Sequence, residues 1–182
     1  MVSLHLLWIA LSLLSLGLYG VVRLWPEGGT ARTFSQHVAD HKAGVFYYIF
    51  LFTLVLPIFA AFFFFWFIPT YHPPILFGIF IFIGLLAQYL CTFIPETGTK
   101  RSGLHRSLAF ISALGLLLAL FTTLFGGIFS TIDKTFIIVG LLAMAALLCM
   151  LVVTRANHPK VLYIQTGYFV AFFASITLVA YV

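Results

Sequence analysis

The residues of this chain able to do chemistry are few and sit mainly in two short segments. In Thr33-Phe34-Ser35-Gln36-His37-Val38-Ala39-Asp40-His41-Lys42, His37 and His41 stand four apart, hence on one face of a helix, with Asp40 three residues from His37. That spacing offers two ligands to a zinc ion, with a third or fourth to come from another loop. It is also the pattern of a polar turn at a membrane surface with solvated rings, and neither an HExxH motif nor a Cys pair accompanies it. In the second segment, Glu96 and His105 bracket a loop. A carboxylate and an imidazole so placed could serve as catalytic base and acid, or join His37 and His41 around a metal. The alternative is that Glu96 pairs with Lys100, Arg101 or Arg106 in a solvated loop while His105 marks the membrane boundary. Gln88, Ser112 and Gln165 lie inside apolar runs at a depth close to that of Glu96 and His105. They either hold helices together or line a polar, ligand-binding pocket.

The elements that must position these groups follow from composition. Of 182 residues, 63% are hydrophobic and 7% charged, against about a quarter charged in an ordinary soluble domain. The 22 Phe, with the Leu, Ile and Val, exceed what an interior of this size can hide, so the surplus faces lipid. A span needs about 20 apolar residues to cross about 30 Å of hydrocarbon. Segments 3–25, 44–68, 75–94, 105–129, 134–154 and 160–182 meet that length, and backbone polarity makes each a helix. The fold expected is an all-α polytopic membrane bundle of six transmembrane helices, with residues 1–182 as a single transmembrane domain. Thr33 and Gln36 have the spacing of a capping box, so a helix should start before the second span. Pro57 is expected to kink that span. Gly17, Gly20, Gly84, Gly115 and Gly126 are available for close helix contacts without a strict GxxxG pattern. Cys91 and Cys149 lie in apolar runs and read as small hydrophobes. The first run has no Lys or Arg before it and Arg23 after it, the reverse of a secretory signal, so it reads as a mature helix.

Charge then orients the bundle. Loops one, three and five carry Arg23, Arg32, Lys42, Lys100, Arg101, Arg106, Arg155 and Lys160, whereas loops two and four carry only Lys134. The positive-inside rule makes the first set cytoplasmic and leaves the N-terminus and C-terminus both non-cytoplasmic. The net charge of +5 is thus a topology signal, and no nucleic-acid partner is expected. The expected location is a cell membrane, plasma or bacterial inner, crossed several times. Some functions are disfavoured: no ionisable group lies near mid-span for an ion pathway, no histidines face one another inside helices for haem, and the last two spans hold no internal lysine for retinal. At the outer ends, His5, His72, Asp133 and Lys134 are scattered, and Trp66, Tyr71 and Tyr181 fit an aromatic belt.

One internal match is present. Trp25-Pro26-Glu27-Gly28-Gly29-Thr30-Ala31-Arg32 and Ile94-Pro95-Glu96-Thr97-Gly98-Thr99-Lys100-Arg101 share the pattern P-E-x-G-T-x-R, each followed by a histidine. This suits a duplicated helical hairpin, although Pro and Gly are also common in a turn after a helix exit.

The Thr33–His37 segment, the aromatic span ending Trp66-Phe67-Ile68-Pro69, and Ile94-Pro95-Glu96-Thr97-Gly98 followed by Leu104-His105-Arg106 together resemble the small bacterial six-helix membrane proteins of unknown function related to the DRAM/Frag group, over about residues 30–125. The resemblance implies a tie to lipid remodelling or membrane trafficking, as in eukaryotic relatives, and marks Glu96 and His105. The alkaline ceramidase group, with zinc held by three histidines, is a rival resemblance, but the last span here lacks the HxxxH pair and His158 stands alone in a loop. The leading expectation is a lipid- or partner-binding module or a subunit of a membrane assembly, with membrane lipids and other membrane subunits as partners. The alternative is a lipid-modifying enzyme, metal-dependent or not, with a site open to the cytoplasm.

Overall fold

The computed structural model describes residues 2–94, 96, 100–154 and 158–181. Among them every regular element is helical: α1 (Val2–Leu24), α2 (Phe34–Ala39), α3 (Lys42–Phe62), α4 (Ile68–Tyr71), α5 (Ile75–Thr92), α6 (Lys100–Thr122), α7 (Thr131–Val153) and α8 (Val161–Tyr181). Six helices are long and apolar enough to cross a membrane, α3 and α4 forming a single one through a π-helical turn at Phe63–Phe67. The chain is therefore built as a multi-pass helical membrane protein.

The second span carries a change of winding that the sequence did not point to. The α-helix runs on through Pro57, and the irregular turn comes at Phe63–Phe67. Pro69 explains the place, because it has no N–H for the carbonyl four residues back and its ring crowds that carbonyl. The fourth span also shifts toward the N-terminus relative to the expected 105–129, starting at Lys100 and ending at Thr122 with a 3-10 turn at Thr123–Phe125. Gly127 stops it: φ is +94°, and a Cβ there would meet the Tyr71 carbonyl oxygen at 2.8 Å.

The spans pair as three hairpins, α1 with α3, α5 with α6, and α7 with α8. The α5–α6 pair is the closest, because Gly84 and Gly115 meet back to back: a Cβ on Gly115 would lie 3.0 Å from the Gly84 Cα. That contact sets Gln88, one turn beyond Gly84, beside the segment of α6 that carries Ser112. Between hairpins the core is aromatic, with Phe59 stacked on Phe173 and Phe63 edge-on to Phe77.

Both ends of the bundle are tied. Trp8 Nε1 donates to the Tyr181 hydroxyl at 2.6 Å, joining the first and last spans near the termini, and the Tyr71 hydroxyl donates to the Val179 carbonyl. At the opposite end Thr30 Oγ1 donates to the Pro159 carbonyl, and Thr33 Oγ1 donates to Glu96. Loops one, three and five thus meet at one end and the two termini lie together at the other.

Candidate functional site

The expected capping box forms and becomes the frame of the site. Thr33 Oγ1 accepts from the Gln36 amide while the Thr33 amide donates to Gln36 Oε1 at 2.9 Å. With α2 so started, Thr33, Ser35 and Gln36 project from its first turn toward Glu96. Glu96 Oε2 accepts from Thr33 Oγ1 at 3.2 Å and Ser35 Oγ at 3.0 Å, and Oε1 accepts from Gln36 Nε2 at 3.1 Å and Arg106 Nε at 2.8 Å. A carboxylate has about four acceptor positions, and here four donors occupy them. The Glu96 side chain is only 4% exposed, so the solvated-loop alternative does not describe it. A buried charge at this depth is tolerable because a guanidinium and three neutral donors replace its water.

His105 falls in the second turn of α6 and is buried. Its Nδ1 lies 2.6 Å from the Ile94 carbonyl oxygen and 3.1 Å from that of Cys91. Both are acceptors, so the network assigns a proton to Nδ1. Nε2 stands 3.8 Å from Glu96 Oε2, beyond hydrogen-bond reach. Cys91, read from sequence as a small hydrophobe, contributes its sulfur 3.4 Å from both ring nitrogens. An in-plane sulfur equidistant from both would overlap the carbon between them, so it sits over the ring face. This is packing, not the in-line contact by which an imidazole activates a thiol.

His37 is fully buried, with Nδ1 2.6 Å from the Trp25 carbonyl oxygen and Nε2 3.1 Å from that of Gly29. Trp25 and Ile94 hold the same place ahead of the repeated Pro-Glu, and each carbonyl lies 2.6 Å from Nδ1 of the histidine that follows. His41 does not share a helical face with His37. Helix α2 ends at Ala39, the His41 amide closes a turn onto Val38, and His41 caps α3 in an extended conformation with Nε2 3.5 Å from Glu27. The two rings therefore diverge, each with its own partners. Among the described residues, no group of three or more His, Cys, Asp and Glu side chains gathers to hold a metal.

Gln88, Glu96, His105, Ser112 and Gln165 instead share one cavity of about 280 Å³ between α6 and the α7–α8 pair. Near the loops it is lined by Thr33, Ser35, Glu96, His105, Arg106 and Gln165 with Leu148 and Leu151 of α7 at the same level, and deeper along the spans by Ala113 and Phe169. Gln165 Oε1 accepts the Phe34 amide at 3.2 Å, so α2 is held by the third hairpin as well as by Glu96 from the second. The Tyr168 hydroxyl donates to the Ala113 carbonyl and ties α8 to α6 beneath the polar end. Phe110 on α6 and Val152 on α7 both line the cavity and are 43% and 54% exposed, so a slot between these helices opens to the bundle's outer surface.

The chain matches no protein family, no curated protein and no solved structure with which it was compared. The chemistry of the site therefore rests on its own geometry. Sequence reasoning missed Thr33 and Ser35 as members of it, and offered Arg106 only as one of three possible partners of Glu96. The capping-box spacing signalled the first turn of α2 but not what it faces.

Proposed function

We propose that this protein is a multi-pass component of a cell membrane, plasma or bacterial inner, that binds an amphipathic lipid in the cavity between α6 and the α7–α8 pair. The observation that supports the reading is the division of that cavity, with hydrogen-bonding and charged groups at the loop end, apolar walls beyond them and a slot open along the spans. A lipid has the same division, and a slot open along the spans admits one from the bilayer without lifting its chains into water. The orientation that belongs to the reading is the one from charge bias: loops one, three and five cytoplasmic, both termini outside.

Purification in mild detergent followed by native mass spectrometry tests the reading. The wild type is expected to carry co-isolated lipid, and Ala113→Trp, which fills the cavity, to lower the retained amount by roughly tenfold, equivalent to about 1.4 kcal/mol. Wild-type protein free of lipid, or a variant that retains as much as wild type, overturns the proposal.

A lipid-modifying enzyme at the same site needs a free base. With four donors on its carboxylate, Glu96 offers no vacant acceptor position, and its role is to hold α2 against α6. Binding without chemistry is accordingly the reading we favour. Unchanged cellular lipid composition on Glu96→Gln and His105→Asn replacement is the expected result, and a lost or accumulated lipid species would restore the enzyme.

A further inference from the structure

We infer that the lipid is an anionic phospholipid, with its phosphate at Arg106 and its glycerol-ester region at the level of Gln88 and Ser112. The inference rests on the lipid-binding reading above and narrows it to one headgroup class.

Charge is the first support. In the sequence, loops one, three and five with their flanks carry eight of the nine Lys and Arg residues but only Glu27, Asp40 and Glu96 of the four acids. Asp40 pairs with Arg32, and Glu96 is enclosed by its four donors. Asp40 and Glu96 are thus matched locally, and the surplus of basic residues belongs to these loops as a group. Arg106 is the basic side chain that lines the cavity, half-exposed; its charge is matched by Glu96 at Nε, so what it offers a ligand is the remaining donors of its guanidinium. Fixing one edge of a guanidinium sets the plane of the rest, and a planar guanidinium presents paired donors to a phosphate. A cationic headgroup has no counterpart here, since the carboxylate it would seek is already saturated.

Depth is the second support. Ser112 follows Arg106 by six residues, about 9 Å along the axis at 1.5 Å per residue. Gln88 stands across from it because Gly84 and Gly115 lock α5 against α6. The cavity therefore presents a charged level at the mouth, a neutral polar level within, and apolar walls around them. A phospholipid presents phosphate, ester carbonyls and hydrocarbon in that order. The cavity is too small for two whole acyl chains, and the slot between Phe110 and Val152 lets them remain in the bilayer.

The test uses the full chain in nanodiscs of equal dioleoyl phosphatidylglycerol and dioleoyl phosphatidylcholine, released into detergent, with retained lipid counted by native mass spectrometry. Wild type is expected to retain phosphatidylglycerol over phosphatidylcholine by roughly tenfold. The double variant Glu96→Gln/Arg106→Gln, which leaves no lone buried charge, is expected to retain the two about equally. Should it not fold, Arg106→Lys serves in its place: it keeps the charge without the fork and should lower the preference to roughly threefold. Equal retention by wild type overturns the anionic class while lipid binding stands. An undiminished preference in either Arg106 variant overturns the placement at Arg106. Full retention of both lipids in Ala113→Trp overturns the cavity itself, and with it the proposed function. Inorganic phosphate is the remaining arm: phosphate bound by the lipid-free wild type but not by the Arg106 variant, with no lipid retained by wild type, would make free phosphate the ligand and remove the lipid assignment.

Discussion

His37 and His105 make the same bond: each places Nδ1 2.6 Å from the carbonyl oxygen of the residue that precedes a Pro-Glu pair, Trp25 for one and Ile94 for the other. The helix exit before each Pro has carbonyls left without intrahelical partners, and a buried imidazole is a compact way to satisfy one. The shared bond supports the reading of the first two hairpins as copies. It also assigns both histidines a structural task, and the copies differ in their acids, Glu27 exposed beside His41 and Glu96 buried under α2.

Replacement of either histidine should give matching defects. His37→Ala and His105→Ala are each expected to lose about 1–3 kcal/mol, the cost of a buried carbonyl left without a donor. Asparagine, whose amide nitrogen approximates Nδ1, should recover part of the loss. Thermal unfolding in detergent measures this, and a large defect in one variant with none in the other would break the equivalence.

Glu96→Ala is expected to be more damaging than either, by about 1–3 kcal/mol, because three neutral donors lose their acceptor while half-exposed Arg106 turns to water. Glu96→Gln keeps an acceptor oxygen and removes the charge, so its loss should be smaller. Equal unfolding temperatures for wild type and Glu96→Ala would show that the carboxylate does not hold α2 in place.

Two glycines of α5–α6 make opposite predictions. Gly115→Val should cost about 1–3 kcal/mol through overpacking against Gly84, and should loosen lipid retention by moving Gln88 away from Ser112. Gly103→Ala, where a Cβ meets nothing within 4 Å, should be neutral or stabilising by up to about 1 kcal/mol, since alanine is the better helix former. Reversed signs in the unfolding data would contradict the packing of this hairpin.

Orientation is checked by labelling. In a background with Cys149→Ser, a membrane-impermeant maleimide should modify Ile128→Cys in intact cells and His158→Cys only after permeabilisation. Cys91 is buried and should not react. The opposite pattern would reverse the membrane orientation and turn the cavity mouth outward.

Several features were legible from residues alone. Six spans follow from the length and apolarity of the runs, because hydrocarbon solvent leaves a backbone little choice but helix. The capping box at Thr33 and Gln36 was equally readable, since its bonds join residues three apart. The same locality explains the failures. A separation of four between His37 and His41 implies a shared face only if one helix contains both, and the turn at Asp40 divides them. The boundaries of α6 moved because Gly127 is needed beside Tyr71, a residue of another span.

What the sequence by itself determined is the solvent of this protein and therefore its secondary structure: apolar runs of span length, interrupted by basic loops on alternate sides. Only the tertiary structure decided which polar residues meet. Glu96 lies sixty or more residues from the Thr33, Ser35 and Gln36 that enclose it, and Gln165 more than a hundred and thirty from the Phe34 amide it accepts. No local periodicity carries such pairings. They follow from how three hairpins pack, and that packing rests on contacts as specific as the absence of a side chain at Gly84 and Gly115.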